Sequence, residues 1–346
     1  MRFGLQLWCQ ATSWAGFRDA ALAAERTGWD DVWTWDHLLA IFGPWEQPIF
    51  EGWTALAGLA PLTSRVRLGL MVGANTFRNP GLTAKLATTL DHVSGGRAVL
   101  GIGGAWFERE HDAFGIEFGP TPGWRLDRFD EAVMLLRRLL DGERIDHHDG
   151  PAYRMHDALV APPPVQARLP ILVGGSGPKK TLRTTAKYAD AWNTSGWLEE
   201  VREKIAILEA HCAAVGRDPS TIERTVSFPI VIRDRTADAE ARFAELLAHN
   251  ASPDAGNVPN LLGPPELVAD AIRPFRDQLG FRHVIVRHPA PYDLETIERM
   301  AEVRELLGPD ARRTPSRPMR LGSSRSRAGS AARSSRMAWR RTSATG

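Results

Sequence analysis

The sequence of 346 residues contains few cysteines and no long apolar run. Its two cysteines, Cys9 and Cys212, are too few for a disulfide framework or a cysteine metal cluster, and this usage is typical of a reducing cytoplasm. No apolar run approaches the roughly 20 residues that a membrane-spanning helix needs. The first residues enter a strand-like pattern without an apolar signal core, so we expect a cytoplasmic protein with no membrane partner.

Negative charge is absent from the last part of the chain. Residues 311–346 contain ten arginines but no lysine, aspartate or glutamate. Without these ten arginines, the formal charge of +2 becomes −8 for residues 1–310. The tail has little to bury, so we predict one domain over 1–310 followed by a disordered extension. A nucleic-acid arm is the alternative for the tail, but no basic groove in the acidic body supports a nucleic-acid partner.

Residues 1–310 alternate short apolar runs with amphipathic helical patterns. The first helix can be capped by Ser13 and ended by Gly28. The predicted strands cover residues 3–8, 31–35, 66–72, 98–102, 170–173, 191–193, 226–232 and 282–286. Strands separated by helical segments pair in parallel, and eight such units predict a TIM (β/α)8 barrel with insertions. A doubly wound open sheet is the alternative, although it needs fewer strands or a domain boundary.

Three segments between the units read as insertions. Residues 41–53 are rich in proline and aromatics and predict a long loop, while residues 143–168 are polar and suggest a small hairpin. Residues 235–264 form a further long insertion. We expect the segments 38–53 and 235–264 to supply a lid and a substrate pocket.

An active site in such a barrel lies at the C-terminal ends of the strands. His37 follows the second strand, and a neutral imidazole exchanges protons near neutral pH. Asp36 could orient His37 or turn to a cofactor; a capping aspartate beside a structural histidine is the alternative. Trp8, Trp35 and Trp106 each lie near a strand end, where they either form the wall of an apolar pocket or serve only packing.

A glycine-rich turn, Gly174-Gly175-Ser176-Gly177, follows the fifth strand and precedes a helix near Thr181. Glycines let the backbone approach an anion, and a helix N-terminus offers free N–H groups, so the turn predicts a phosphate site. A tight turn without a ligand is the alternative. Small residues at Gly101, Gly103 and Gly104 leave room for a flat ring or a phosphate.

The remaining histidines do not predict a metal site. His147, His148, His156 and His249 lie in the insertions and are interpreted as surface residues. The run His147-His148-Asp149 lacks a second ligand group at a matching spacing, so we predict no bound metal.

Several of these motifs occur together in one order and spacing: Trp35-Asp36-His37, Asn75-Thr76-Phe77-Arg78-Asn79-Pro80, Ser94-Gly95-Gly96-Arg97 and Gly101-Ile102-Gly103-Gly104-Ala105-Trp106. The pattern resembles the bacterial luciferase-like flavin barrels, and it is most similar to their branch that uses coenzyme F420, a deazaflavin. The resemblance covers nearly all of residues 1–310, and 68–115 is its most specific part. It implies a luciferase-like TIM barrel, an F420-dependent oxidoreductase and a homodimer.

The resemblance also implies roles for matching positions. Asp36 would contact the cofactor, and His37 would lie near the reacting carbon as proton donor or acceptor. The third strand would carry a non-proline cis peptide near Met71-Val72. The implied cofactor-binding residues are Asp36, Met71, Val72, Ala74, Asn75, Gly104, Ala105, Gly174, Gly175, Ser176, Gly177 and Thr181. The implied substrate pocket comprises Trp8, Trp35, Trp106, Glu110 and His288. Trp106 occupies the place where some relatives carry a catalytic glutamate.

Three functions are open on this basis. The first is hydride transfer between F420 and a small organic molecule. The second is an FMN-dependent monooxygenase, which needs oxygen and a separate source of reduced flavin. The third is a flavin- or deazaflavin-binding protein without catalysis. Neither the substrate nor the direction of hydride flow follows from the residues.

Removal of residues 311–346 should leave redox activity unchanged, because the predicted barrel ends before the tail. The measurement compares kcat/KM and the melting temperature of the full chain with those of a chain ending at residue 310. A loss of activity at an unchanged melting temperature would contradict our interpretation of the tail.

Overall fold

The computed structural model describes residues 1–252 and 258–308, so the predicted disordered tail at 311–346 lies outside the described residues. Within the described part of the chain, eight parallel strands form a closed barrel. They are β1 (Arg2–Leu7), β2 (Asp31–Thr34), β3 (Arg67–Leu70), β4 (Ala98–Gly103), β5 (Ile171–Gly174), β6 (Ala191–Thr194), β7 (Glu223–Ile232) and β8 (His283–His288).

The barrel is closed by the pairing of its last strand with its first. Each strand pairs in parallel with the next one along the chain, and β8 returns to β1, where Arg2 lies opposite His283 and Leu7 opposite His288. Parallel neighbours require a crossover, which helices provide on the outer face. The closed sheet confirms the predicted TIM barrel and rules out the open doubly wound alternative.

The helices are α1 (Trp14–Thr27), α2 (Gly52–Leu59), α3 (Pro80–Ser94), α4 (Glu108–Phe114), α5 (Pro122–Leu140), α6 (Thr181–Tyr188), α7 (Leu198–Ala214), α8 (Thr236–His249), α9 (Pro265–Asp277) and α10 (Leu294–Leu307). The Ser13 side chain caps α1 by accepting a hydrogen bond from the Gly16 N–H, and Gly28 ends this helix with a φ of 84°, as predicted. In the described residues, none of the helices combines the length and the apolar character that a membrane span needs.

Two short helices near the barrel rim, α2 and α4, were not predicted. In α2, apolar residues and two glycines leave no clear polar face, and α4 has only seven residues, most of them polar or charged. Glu51 begins α2 by accepting hydrogen bonds from the N–H groups of Trp53 and Thr54. Hydrophobic periodicity predicts loops at both places, because a helix of so few turns is too short to show a clear amphipathic pattern.

The hairpin predicted between residues 143 and 168 is confirmed: strand Ile145–His147 pairs antiparallel with strand Met155–Ala158. The predicted insertion at 235–264 holds regular elements that the sequence analysis did not predict. It contains α8 and a short strand, Leu261–Gly263, that pairs in parallel with β7. Its apolar residues Ala239, Phe243 and Leu246 cluster with Val231 of β7. The helix of this insertion therefore packs against the barrel wall.

The barrel interior is filled by side chains from several strands, as the contacts among Trp33, Val99, Leu172 and Ile285 show. Trp33 is the largest of them and is 1% exposed. Gly4 and Gly69 make room for it, since a Cβ at either position would lie 2.6 Å from the indole. This packed layer lies below the strand ends and forms the base on which the candidate site is built.

Candidate active site

The C-terminal ends of the barrel strands surround a cavity of about 510 Å³. β2 leads to Asp36 and His37, and β5 ends at Gly174, where the glycine-rich turn begins. The predicted residues that line the cavity are Trp8, Trp35, Asp36, His37, Met71, Val72, Ala74, Gly104, Ala105, Trp106, Glu110, Gly174, Gly175, Ser176, Gly177 and Thr181. The fold thus brings these residues together, while their individual roles stay predictions.

His37 is held by Glu110, a residue of α4 that is 1% exposed. The His37 Nδ1 atom lies 2.9 Å from Glu110 Oε1, and Glu110 Oε2 accepts a hydrogen bond from the Leu38 N–H at 2.8 Å. Since an ionised carboxylate only accepts hydrogen bonds, Nδ1 carries the proton and Nε2 of the neutral ring is an acceptor. The residue that orients His37 is therefore Glu110 and not the neighbouring Asp36.

Aromatic rings surround the imidazole of His37. Three of them meet it edge-on, with centroid distances of 5.5 to 6.0 Å: Trp35, Trp106 and Phe107. Trp8 and Phe42 extend this wall, with centroids 4.6 Å from Trp35 to Trp8 and 5.1 Å from Trp8 to Phe42. Phe42 and Ile41 come from the predicted lid segment 38–53 and line the cavity. Among the described residues of the other predicted lid segment, 235–264, none lines it.

Asp36 is bound to other partners. Arg78 donates two hydrogen bonds to its carboxylate, at 2.8 and 3.0 Å, and the Ala74 N–H donates a third at 2.8 Å. The same guanidinium donates to Glu51 at 2.7 Å. Burial raises the pKa of the Asp36 carboxyl, an effect that the charge of Arg78 opposes. Asp36 therefore links the segment after β3 to Arg78 and does not orient His37, while its contact with a cofactor stays a prediction.

The peptide bond between Met71 and Val72 is cis, as the resemblance predicts. The Met71 carbonyl accepts a hydrogen bond from the Gln6 side chain at 2.9 Å. Gln6 lines the cavity and was missed by the sequence analysis. Its inward direction follows from strand alternation, because its neighbours Leu5 and Leu7 belong to the core between strands and helices.

The glycines at the end of β4 serve packing within the protein. A Cβ on Gly103 would lie 2.8 Å from a Val72 methyl group, and one on Gly104 would lie 2.8 Å from Leu126. A Cβ on Gly101 would overlap the Leu70 carbonyl. A side chain at any of these positions would therefore meet protein atoms, while Gly103 and Gly104 themselves line the cavity, so that room for a ring or a phosphate beside them stays a prediction.

The glycine-rich turn after β5 lines the cavity at the start of α6. Gly175 has a φ of 110°, and a Cβ on Gly177 would come within 2.8 Å of the Thr181 hydroxyl at the start of α6. The Ser176 hydroxyl lies 2.8 Å from that of Thr194, which ties the turn to β6. The residues Gly174 to Gly177 and Thr181 thus line the cavity next to a helix N-terminus, where the helix dipole favours an anion.

Two predicted residues lie away from the cavity. The Asn75 side chain donates to the Tyr153 hydroxyl at 3.2 Å, and the residue is 5% exposed. His288 is fully buried, and its Nε2 accepts a hydrogen bond from the Asp293 N–H at 2.9 Å. Burial lowers the pKa of His288 to about 4, so the ring is neutral at physiological pH. Neither residue is in position to contact a ligand in the cavity.

Arg287 lines the cavity where His288 does not, because successive residues of β8 point to opposite faces. Arg287 lies opposite Gln6 in the pairing of β8 with β1, and its guanidinium donates to the Ser227 hydroxyl at 3.2 Å. Burial lowers the pKa of Arg287 to about 10, which leaves it charged at neutral pH. The positively charged guanidinium of Arg287 therefore lies among the polar groups with which the barrel strands line the cavity.

Comparison with known proteins gives a family match. The family model described as luciferase-like monooxygenase matches residues 1–310. A phthiodiolone/phenolphthiodiolone dimycocerosates ketoreductase of Mycobacterium tuberculosis is 36% identical over 228 residues, 59% of this chain and 58% of that protein. The chain thus spans less than two thirds of the length of this relative.

Two solved structures share the fold. An F420-dependent secondary alcohol dehydrogenase, in complex with an F420–acetone adduct, has a TM-score of 0.77 at 19% identity, over 88% of this chain and 98% of that chain. A monooxygenase from Streptomyces bottropensis has a TM-score of 0.72 at 22% identity, over 88% and 97%. Since both sequence identities are low, these similarities establish the fold of this chain but not the reaction that it catalyses.

Replacement of Arg78 by leucine should destabilise the protein, because Asp36 would stay buried without its cation. We expect a loss of about 3–5 kcal/mol in the free energy of unfolding, measured by urea denaturation. Arg235→Leu is the matched control, since Arg235 is 76% exposed and lies 3.7 Å from Asp238. Equal losses in the two variants would show that the Asp36–Arg78 pair does not carry the stability of this region.

Proposed function

Since the chain belongs to the luciferase-like monooxygenase family, we propose that it is an F420-dependent oxidoreductase that transfers a hydride between the deazaflavin and a small organic substrate. The observation that carries this proposal is the His37–Glu110 pair beside an aromatic cavity that a glycine-rich turn at a helix N-terminus also lines. Reduction of a carbonyl by hydride also requires a proton, and the proposal assigns its supply to His37. The shared fold of an F420-dependent alcohol dehydrogenase and the ketoreductase relative agree with this assignment.

The cavity offers distinct surfaces for the parts of such a cofactor. The turn from Gly174 to Gly177, together with Thr181, would hold its phosphate. The segment around Met71, Val72 and Ala74 would support its ring. Bound F420 supplies a ring carbon that gives or accepts a hydride and reacts poorly with oxygen.

The contribution of the protein is to hold and move a proton at His37 Nε2. Glu110 keeps the proton on Nδ1, so neutral His37 can accept a proton from an alcohol at Nε2. In the opposite direction, the imidazolium form donates the Nε2 proton to a carbonyl oxygen. Both forms are compatible with the buried carboxylate, which stabilises the positive charge when it develops.

The aromatic side chains near His37 indicate what kind of substrate the cavity would bind. Trp35, Trp106 and Phe107 contact the imidazole edge-on, and Trp8, Trp35 and Trp106 line the cavity beside it, so a substrate bound next to His37 would contact aromatic rings. We therefore propose alcohols or carbonyl compounds whose substituents next to the reacting carbon are apolar.

Cofactor choice is tested first, by titrating purified protein with F420 and with FMN and following tryptophan fluorescence. Tight F420 binding with weak FMN binding supports the proposal. Gly177→Ala should weaken F420 binding at least tenfold, because its Cβ would sit on the Thr181 hydroxyl. Gly123→Ala is the control, since the atom nearest to its Cβ is 3.7 Å away. Preference for FMN would instead favour the monooxygenase alternative, and binding of neither would overturn the redox assignment.

The proton-transfer role is tested with His37→Ala, using F420 and secondary alcohols and following F420 absorbance. We expect kcat to fall by about 10²–10⁴-fold, the usual contribution of a general acid or base, with F420 affinity nearly unchanged. Glu110→Gln should also lower kcat and change its pH profile, because an amide can donate to Nδ1 and move the ring proton to Nε2. Glu108→Gln, on the exposed side of α4, is the control. Unchanged turnover in His37→Ala would remove the role assigned to it.

A further inference from the structure

We propose that Asp146, His148 and His156 form a binding site for one divalent transition-metal ion, with zinc as the reference ion. The three residues belong to the hairpin between α5 and β5, and none of them lines the active-site cavity. The site is therefore independent of the redox function proposed above.

Strand alternation brings the ligands together. Asp146 and His148 are two residues apart and share one face of the hairpin, while His147 points to the other face and lies 2.7 Å from the carboxylate of Glu131. The partner strand adds His156 beside Asp146. The sequence run His147-His148-Asp149 conceals this arrangement, since only one of its three residues is a ligand.

The separations of the ligand atoms match those around a metal ion. Asp146 Oδ1 lies 3.5 Å from His148 Nε2 and 3.3 Å from His156 Nδ1, and the three atoms lie within 4.8 Å of one another. Bonds of about 2.0–2.1 Å in a tetrahedron place ligand atoms roughly 3.3 Å apart. The two separations from Asp146 thus meet this geometry, and the two imidazole nitrogens lie within 4.8 Å of each other on exposed side chains.

The surrounding groups support the carboxylate as a ligand. Asp146 Oδ1 accepts a hydrogen bond from the Asp157 N–H at 2.9 Å, which orients it. The Asp157 carboxylate is engaged by Arg144 at 2.5 Å, so this cation pairs with Asp157 and not with Asp146. Two imidazoles and one carboxylate are nitrogen and oxygen ligands suited to zinc, with the remaining position open to water.

The hairpin is anchored before any ion binds. Glu131 of α5 accepts hydrogen bonds from the N–H groups of Ala152 and Tyr153, at 2.9 and 3.2 Å, and it also contacts His147. These contacts hold the turn between the two strands against the helix. An ion at the proposed site would join the strands on the opposite, solvent-facing side, so we infer a structural clamp and not a catalytic centre.

The experiment is calorimetric titration of Zn²⁺ into untagged, chelator-treated full-length protein. We expect one ion per chain, and His148→Ala and His156→Ala should each weaken binding at least tenfold. His249→Ala is the control, because His249 lies outside the hairpin and its Nε2 contacts the Ala11 carbonyl oxygen. Circular dichroism checks that each variant is folded.

Binding of equal strength in the parent and in both hairpin variants would overturn the proposal, as would absence of binding to the parent. F420 titration of the same variants separates this inference from the proposed function. His148→Ala and His156→Ala should bind F420 as the parent does, whatever the outcome with zinc.

Discussion

The pairing of β8 with β1 closes the sheet, and the candidate site depends on that closure. Closure brings the C-terminal ends of strands that are far apart in sequence to one rim, so that residues following β1, β2, β4 and β5 surround a single cavity. It also sets the register in which Gln6 and Arg287 lie opposite each other and point inward. The packed layer around Trp33 then supports the rim from below, which keeps the cavity from collapsing into the barrel.

Two buried carboxylates at this rim, those of Asp36 and Glu110, have different structural roles. Asp36 is engaged by Arg78 and by the Ala74 amide, and so holds the backbone beside the cis peptide bond. Glu110 is engaged by His37 and the Leu38 amide, and so sets the tautomer of the imidazole. A buried carboxylate is costly unless its oxygens have partners, and each of these two has partners that another element provides. This separation explains why the acid next to His37 in sequence is not the acid that orients it.

Much of the architecture could be predicted from local patterns. Alternating apolar runs predicted the eight strands, Ser13 and Gly28 predicted the limits of α1, and a familiar order of motifs predicted the cis bond at Met71–Val72. The helix and the strand inside the insertion at 235–264 were not predicted, because its apolar positions are few and its helix is rich in alanine and charge. Asn75 and His288 were misplaced for another reason: on a strand or a bend, one residue of displacement turns a side chain from the cavity to the core.

By itself, the sequence determined the eight barrel strands, the longer helices between most of them and the chemical groups that follow each strand, because propensity, capping and periodicity act over a few residues. Only the tertiary structure decided the partners of those groups. His37 and Glu110 are 73 residues apart, Asp36 and Arg78 are 42 apart, and Val72 fills the space beside Gly103. The ligand trio of the hairpin likewise arises only when two strands pair. Such contacts depend on the register and closure of the sheet, which are properties of the whole chain and leave no local signal.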